Sequence, residues 1–373
     1  MTAMAFLYFS VLARSLRAGL RSAECLCLPF ASAFLDSSLA EKNRSHLEGK
    51  ALTKQFCLAL AIAFAALNNG DAIAQGYPNR PVRVLVPFAA GGAVDVLARL
   101  VGQKLSEGLS QPVIIENRPG AGGNLASDIL AKSPPDGYTV LQTVNGISIS
   151  PSLYKTLPFD TQKDFLAVTQ IVQSQLILVA NPSLPANTVA EFVALAKSKP
   201  GSLNYGSTGI GNPLHLTMEM LKSATGIDIQ AIPYRGDAPA NAALIAGEIQ
   251  LGVMPMATTL PLIEAGRLKA LAIGGAKRSP AMPNVPTVAE TIPGFESTSW
   301  QGYFVPAGTP REIVVRLQQE LGKVLKLPDV IERLRAGGNE GVGSTPAEFD
   351  ARFRADITKY AKIIADAKIP MQD

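Results

Sequence analysis

The sequence has few of the residues that carry redox, metal or nucleophilic chemistry. Its 373 residues include only three cysteines and two histidines. Cys25, Cys27 and Cys57 all precede a cleavage site expected after Ala74, so the chain beyond that site contains no thiol. The sequence therefore excludes disulfides, thiolate metal sites and cysteine nucleophiles from the mature protein.

Motifs for metal, serine or nucleotide chemistry are also missing. His215 is the one histidine beyond residue 74, and without clustered acidic or thiolate companions it cannot assemble a zinc site. We expect it to make a structural hydrogen bond. There is no Gly-x-Ser-x-Gly turn and no phosphate loop ending in Gly-Lys-Ser/Thr. Residues 120–125 resemble a dinucleotide fingerprint only superficially, because Leu125 stands at the third glycine position. No metal and no cofactor is expected.

Strong charge and long apolar runs are absent too. The formal net charge is only +4, from 34 basic and 30 acidic residues, which argues against a nucleic-acid partner. No apolar run reaches the roughly 20 residues that a membrane span needs. Neither a solenoid repeat nor a low-complexity tract follows the N-terminal region.

The N-terminal region contains a pattern typical of a secretory signal. Residues 56–67 form a short apolar run that follows two lysines, and Ala72-Ile-Ala74 supplies an A-x-A cleavage site. Residues 1–74 are therefore expected to be a leader cleaved after Ala74, and the mature chain to be periplasmic. Residues 1–49 precede a complete signal, which favours a start codon assigned too far upstream over a functional extension.

Two glycine-rich turns each follow an apolar strand-like run and open an apolar-periodic helix. They are the first elbow (residues 88–95) and the second elbow (residues 117–124). Glycine lets the backbone approach a ligand closely, and a helix start leaves several N–H groups unpaired. The elbows are therefore predicted to be neighbouring sites for an anion such as a carboxylate or a phosphate.

Short β-rich runs alternate with amphipathic helices along the rest of the chain, a pattern typical of βαβ units on a parallel sheet. In the first helix Val94, Leu97, Val101 and Leu105 recur at helical spacing and should form its buried face. A second alternating block, residues 171–274, carries the third elbow (residues 205–213).

Two blocks with elbows at strand ends predict an α/β protein of two lobes with a ligand cleft between them. Lobe 1 is expected to comprise residues 75–175 and 298–373, whose last helices form a packing layer, and lobe 2 to comprise residues 176–297. The extended segments 171–180 and 299–306 would cross between the lobes and act as the hinge.

Several sequence blocks, in order, resemble the Bug family of extracytoplasmic solute receptors related to tripartite tricarboxylate transporters. The resemblance covers essentially all of the mature chain. Its blocks are Tyr77-Pro-Asn-Arg-Pro81, Val86-Pro-Phe-Ala-Ala-Gly-Gly-Ala-Val-Asp95, Glu116-Asn-Arg-Pro-Gly-Ala-Gly-Gly123, Pro135-Asp-Gly-Tyr-Thr139, Asn204-Tyr-Gly-Ser207, Pro233-Tyr-Arg-Gly236 and Gly302-Tyr-Phe-Val-Pro-Ala-Gly-Thr-Pro310.

The resemblance implies a periplasmic binding protein-like fold of type II, in which two α/β lobes joined by two crossover strands close on a small organic carboxylate. It also implies delivery to membrane permease subunits or to a sensor ectodomain. A monomer is expected, with no nucleic-acid partner. The first elbow departs from the family by carrying Ala89-Ala90 where proline commonly precedes the glycines, which loosens the preset loop geometry.

In the family the first two elbows hold one carboxylate end through backbone N–H groups, partly through ordered waters, and the third elbow holds the other end. The resemblance transfers this role at the first two elbows to Ala90, Gly91, Gly92, Gly120, Ala121, Gly122 and Gly123. At the third elbow it transfers the role to Ser207, Thr208, Gly209 and Asn212, and it makes Phe88 an apolar wall.

Three charged residues near the elbows have two interpretations each. Asp95 is either a cap of the first helix or a pocket residue that orients water. Arg118 either pairs with a substrate carboxylate or braces its loop against Glu116 or Asp95. For Arg235, which precedes Gly236, the rim of the pocket is favoured over a structural ion pair.

The sequence thus predicts a solute-binding protein and not an enzyme. The alternative is a periplasmic enzyme that acts on a carboxylate substrate with Asp95 as its base. The scarcity of histidine, cysteine and clustered acids counts against that alternative.

Overall fold

The computed structural model describes residues 76–372. The cysteines, the signal sequence and its cleavage site lie outside the described residues, so the expectations about them stay predictions. Across the described part of the chain, no helix combines the length and the apolar character that a membrane crossing requires.

The described residues form strands and helices that alternate along much of the chain. The strands are β1 (Val82–Val86), β2 (Val113–Asn117), β3 (Thr139–Val144), β4 (Phe165–Ala180), β5 (Asn204–Ser207), β6 (Gln230–Pro233), β7 (Leu251–Pro255), β8 (Lys269–Ile273), β9 (Thr298–Pro306) and β10 (Asn339–Gly341). The helices are α1 (Ala93–Leu109), α2 (Asn124–Ala131), α3 (Gly146–Leu153), α4 (Val189–Ser198), α5 (Pro213–Thr225), α6 (Asp237–Ala246), α7 (Met256–Glu264), α8 (Arg311–Val324), α9 (Pro328–Ala336) and α10 (Pro346–Asp366).

The long strand β4 takes part in two groups of strands. Its first part pairs with β9 and β10, and together with β3, β1 and β2 these form the first sheet. Its last residues, Leu176–Ala180, pair with β7 and β8, and β5 and β6 complete the second sheet beyond β7. Strand β9 runs antiparallel to β4 between Phe165 and Gln175, within the first sheet, so β4 is the strand that takes part in both sheets.

Both sheets are mixed, whereas the alternation of elements predicted a parallel sheet. Strand β1 is parallel to β2 and β3, and β5 is parallel to β6 and β7, as expected for βαβ units. The antiparallel members are β9 against β3 and β4, and β4 against β7 and β8. The reason is that β4 leaves the first sheet for the second while β9 returns beside it in the opposite direction.

Separate hydrophobic cores lie against the two sheets. The core of the second sheet is built from residues between Leu176 and Phe295. On one face of the first sheet, α1 packs with α8 and α9, and the predicted stripe of α1 is confirmed, since Val94, Leu97, Val101 and Leu105 are all buried. The division of the chain into lobes at residues 175/176 and 297/298 stays a prediction.

The other face of the first sheet is covered by α10, α2 and α3. Four aromatic side chains, Trp300, Phe304, Phe349 and Phe353, pack there with ring centroids 5.0–6.2 Å apart. The Trp300 indole N–H donates to Asp356 Oδ2 at 2.7 Å, which satisfies a buried donor and a buried acceptor together. The C-terminal helices therefore hold the first sheet on both faces and leave its strand ends free for the elbows.

Candidate functional site

The first elbow connects β1 to α1, and internal carboxylates take up its backbone donors. The Gly91 N–H donates to Asp95 Oδ2 at 2.9 Å, and Arg99 forms an ion pair of 2.9 Å with Asp95 Oδ1. Gly91 has φ +81°, a conformation that glycine adopts without a steric penalty. Asp95 thus braces the turn before α1, whereas the N-cap position of that helix, Gly92, has no side-chain cap. The role of Asp95 as a pocket residue stays a prediction.

The ionisation of Asp95 follows from these contacts. Burial alone would raise the pKa of its carboxyl, but hydrogen bonds from Arg99, the Gly91 N–H and Asn117 lower that pKa below the ordinary aspartate value. The side chain is only 2% exposed. Asp95 is therefore held as a carboxylate inside the loop.

The second elbow, between β2 and α2, has a run of left-handed backbone. Gly120, Ala121, Gly122 and Gly123 have φ values of +151°, +46°, +64° and +110°. This conformation explains the glycines, because side chains rarely tolerate it. A Cβ added at Gly122 would overlap the carbonyl oxygen of Ile210, so the second elbow touches the third directly.

The third elbow, between β5 and α5, is held by one asparagine. Asn212 Oδ1 accepts the backbone N–H groups of Leu214 and His215 at 2.8 and 3.0 Å, which caps α5. Its Nδ2 donates to Thr208 Oγ1 and to the Gly209 carbonyl, each at 2.6 Å. The loop between Thr208 and Asn212 is therefore closed on itself in a fixed shape.

The three elbows border two cavities. The larger, named the outer cleft, has a volume of about 420 Å³ and is open to solvent. The smaller, named the inner cavity, has about 40 Å³ and is lined mainly by apolar side chains. Phe88 and Thr208 line both cavities, so the inner cavity lies directly behind the outer cleft.

Direct contacts join the elbows to the segment on the opposite side. The Ala89 N–H donates to the Arg235 carbonyl at 3.0 Å. The Tyr154 hydroxyl, at the end of α3, donates to the Ile210 carbonyl at 2.7 Å. Hydrogen bonds therefore join the segments that border the cleft, which itself stays open to solvent.

Asp237 is a residue of this region that the sequence reasoning missed. Its Oδ2 accepts the Ala93 N–H and the Thr258 hydroxyl, both at 2.9 Å, and the side chain is 4% exposed. A Cβ added at Gly92 would overlap Asp237 Oδ1. The absence of a side chain at Gly92 therefore makes room for the Asp237 carboxylate. The available signal was a fourth strand-to-helix turn, Pro233-Tyr-Arg-Gly-Asp237, with an acid at the first residue of α6.

Burial raises the pKa of Asp237 above the ordinary aspartate value, although the hydrogen bonds from Ala93 and Thr258 act against this. Repulsion from the Asp95 carboxylate raises it further. The carboxylates of Asp95, in the first elbow, and Asp237, at the start of α6, are therefore close enough to interact.

The structure brings part of the predicted site set to the two cavities. Phe88, Gly120, Ala121, Gly122, Gly123, Thr208, Gly209 and Arg235 line the outer cleft. Phe88, Thr208 and Asn212 line the inner cavity. Ala90, Gly91, Gly92, Asp95, Ser207 and Gly236 line neither of these cavities. Ligand binding by any of these residues stays a prediction.

Two further residues of interest lie outside the cavity linings. Arg118 Nε donates to Glu116 Oε1 at 2.6 Å, and Glu116 also accepts from Arg83. Arg118 therefore braces its own loop against Glu116.

The side chain of His215 is buried, and burial lowers its pKa. Within residues 76–372 its Nδ1 has no hydrogen-bond partner, so the expected structural hydrogen bond is absent at that atom.

Residues 76–372 contain no group of three or more histidine, cysteine, aspartate or glutamate side chains arranged to hold a metal ion. The polar groups at the cavities are backbone amides, hydroxyls and the side chains of Asn212, Arg235, Asp237, Gln301 and Gln372. This arrangement suits non-covalent recognition of a small polar molecule.

Comparison with known proteins assigns the family. The model of the tripartite tricarboxylate transporter family receptor matches residues 97–369. The chain belongs to this receptor family. The resemblance to Bug-type receptors is therefore confirmed, and the family is one of receptors and not of enzymes.

Three solved structures support the same assignment. The periplasmic binding protein BugD is 32% identical, with a TM-score of 0.77, and covers 79% of this chain and 100% of its own. A Rhodopseudomonas palustris protein, Rpa4515, solved with adipate is 36% identical, with a TM-score of 0.77 and the same coverage. MatC from that organism, solved with malate, is 31% identical, has a TM-score of 0.75 and covers 77% of this chain and 100% of its own. The expected periplasmic binding protein-like α/β fold is thereby confirmed.

Proposed function

We propose that the protein is a solute-binding receptor that takes up a small organic carboxylate between its three elbows. The observation that carries this proposal is that the second and third elbows meet at one cleft of about 420 Å³. Both are strand-to-helix turns, and α2 and α5 begin beside the cleft. Helix starts and closely approaching glycine backbone are suited to an anion of this size.

Backbone donors can hold a carboxylate without a dedicated arginine. A hydrogen bond to a charged group contributes about 1.5–3 kcal/mol net, so a few such bonds give useful affinity. Arg235 at the edge of the cleft adds a positive charge that attracts an anion. Phe88 provides an apolar wall for the carbon skeleton.

The neighbours are consistent with this class of ligand, since two of them were solved with adipate and with malate. The proposal includes export by the signal sequence of residues 56–67 and action as a monomer. It also includes delivery of the bound acid to membrane permease subunits, with a sensor ectodomain as the other candidate partner.

No observation favours the enzyme alternative with Asp95 as base. A carboxylate with a lowered pKa is a weak base. Asp95 also borders neither cavity and is engaged by Arg99 and the Gly91 N–H.

The proposal is tested by titrating the purified mature chain with a panel of carboxylates in a calorimeter, after removal of co-purified ligand by unfolding and refolding. The panel contains succinate, malate, adipate, glutamate and benzoate. We expect saturable binding of at least one acid and a rise in melting temperature with its concentration. Absence of heat and of any melting shift with every acid would contradict the proposal.

A pair of glycine variants tests whether the cleft is the binding site. Gly122→Ala and Gly226→Ala both place a Cβ on left-handed backbone, with φ +64° and +69°. At Gly122 the new atom overlaps Ile210 across the cleft, whereas at Gly226 nothing lies within 4 Å. Gly122→Ala should weaken binding about tenfold or more, because one lost charge-assisted hydrogen bond has that effect. Gly226→Ala should bind as the wild type does, and equal affinity of all three proteins would place the site elsewhere.

A further inference from the structure

The Asp237 carboxylate lies where two helices begin. It belongs to the first residue of α6, and its Oδ2 accepts the N–H of Ala93, the first residue of α1. Helix starts have a positive electrostatic potential and stabilise a nearby anion. A side chain of the protein therefore already occupies the anion position at the start of α1.

Two further donors of the first elbow are also engaged internally. The Gly91 N–H donates to Asp95, and the Ala89 N–H donates to the Arg235 carbonyl. Two carboxylates thus hold the first elbow, Asp95 from the elbow itself and Asp237 from the start of α6. Among the described residues only the guanidinium of Arg99 pairs with them, and its contacts are to Asp95.

The inner cavity lies against this carboxylate. Its described lining contains no lysine and no arginine, and Asp237 is its one acidic residue. The hydroxyl of Ser174 also lines it, is 5% exposed, and has no hydrogen-bond partner among the described residues. A volume of about 40 Å³ can hold a group the size of an ammonium or a hydroxymethyl, since one water needs roughly 10–15 Å³.

We infer that the inner cavity is a subsite for the end of the ligand that is cationic or donates hydrogen bonds. Asp237 then makes the protein prefer carboxylates with a single anionic end over dicarboxylates. The inference rests on the proposed function. The ligand's carboxylate lies in the outer cleft between the second and third elbows. Its other end passes Phe88 and Thr208, which line both cavities, and approaches Asp237 and Ser174.

The physical reason for this selectivity is like-charge repulsion in a small cavity lined mainly by apolar side chains. A second ligand carboxylate would lie beside Asp237 without a cation among the lining residues. The pair is unfavourable at a pH where both groups are ionised, and it can be relieved only by binding a proton. An ammonium in the same place would pair with Asp237. The Ser174 hydroxyl, which has no hydrogen-bond partner among the described residues, would accept a hydrogen bond from that ammonium.

The test uses ligand pairs that differ only in replacing one carboxylate by an ammonium: succinate with β-alanine, glutarate with γ-aminobutyrate, and adipate with δ-aminovalerate. Affinities are measured by calorimetry on the wild type and on Asp237→Asn, which keeps the acceptor for Ala93 and removes the charge. We expect the wild type to prefer the ammonium member of its best pair about tenfold or more. In Asp237→Asn that preference should fall about tenfold or invert.

Asp356→Asn is the matched control, because Asp356 is equally buried at 3% exposure but bonds to Trp300 on the far face of the first sheet. Its selectivity should equal that of the wild type. Asp237→Ser provides a second uncharged variant in case Asp237→Asn does not fold, as judged by circular dichroism.

The outcomes separate the two claims. If carboxylates bind but the wild type prefers dicarboxylates, or if neither Asp237 variant changes the preference, the inference is wrong while the proposed function stands. If no carboxylate binds at all, the proposed function is contradicted and the inference is contradicted with it.

Discussion

Buried Asp237 should leave a signature in the pH dependence of stability. Burial raises its pKa above the ordinary value of 3.8, so the folded protein binds this proton more tightly than the unfolded chain does. The stabilisation is therefore complete below 3.8 and is lost as the pH rises through the raised folded pKa. Asp237→Asn lacks this contribution.

The test is the difference in free energy of unfolding between the wild type and Asp237→Asn, measured by urea denaturation without ligand. This difference should shift against the wild type as the pH rises from about 4 to about 8. Asp95 should contribute in the opposite direction, because its pKa is lowered in the folded state and its stabilisation is lost as the pH falls. A difference between wild type and Asp237→Asn that is constant with pH, or that grows with pH in favour of the wild type, would contradict this account of Asp237.

At single positions the sequence predicted backbone roles better than contacts. The glycines of the second elbow were expected to bring backbone close to a ligand, and four successive positive φ values at residues 120–123 explain why they stand there. Asp237 was missed because its partner Ala93 is 144 residues away, so no local pattern contains the pair. The sequence alone could not decide the role of Arg118, because a guanidinium two residues from Glu116 can either pair with Glu116 or turn towards the cleft.

Packing of α10 on the first sheet depends on a glycine at the sheet surface. Gly302 in β9 faces the ring of Phe349, and an added Cβ would overlap that ring. Gly302→Ala should therefore lower the free energy of unfolding by about 1–3 kcal/mol, as overpacking of a dense core does. Urea denaturation measures this change.

Gly322→Ala in α8 is the control with the opposite sign. Its added Cβ would meet only Gln318 Nε2, at 3.9 Å, and alanine is favoured over glycine in a helix interior by about 1 kcal/mol. The prediction fails if Gly302→Ala is as stable as the wild type while Gly322→Ala shows its gain.

Among the elements, periodicity predicted those whose apolar residues repeat clearly. Helix α1, whose apolar stripe was predicted, spans Ala93–Leu109 with that stripe buried. Helix α3 was not predicted, because Gly146, three serines and Pro151 have low helix propensity, and its burial in the fold overrides that preference. Strand β4 begins at Phe165, earlier than the expected 171, because pairing with β9 extends it.

At the scale of the whole molecule, one long strand and a few hydrogen bonds at the cleft join distant parts of the chain. Strand β4 pairs with β9 from Phe165 to Gln175 in the first sheet, and its last residues pair with β7 and β8 in the second. The hydrogen bonds Ala89 to Arg235 and Tyr154 to Ile210 join segments that border the cleft. The two-block arrangement of the sequence predicted a cleft, but these hydrogen bonds join residues far apart in the chain and required the structure.

The most direct test of the claim that a carboxylate binds between the elbows is a crystal structure of the protein with the tightest-binding acid of the panel. The account predicts carboxylate oxygens about 3 Å from backbone N–H groups of residues 120–123 or 207–212. It also predicts the carbon skeleton against Phe88. An acid bound at another surface, with the outer cleft free of it, would contradict the account.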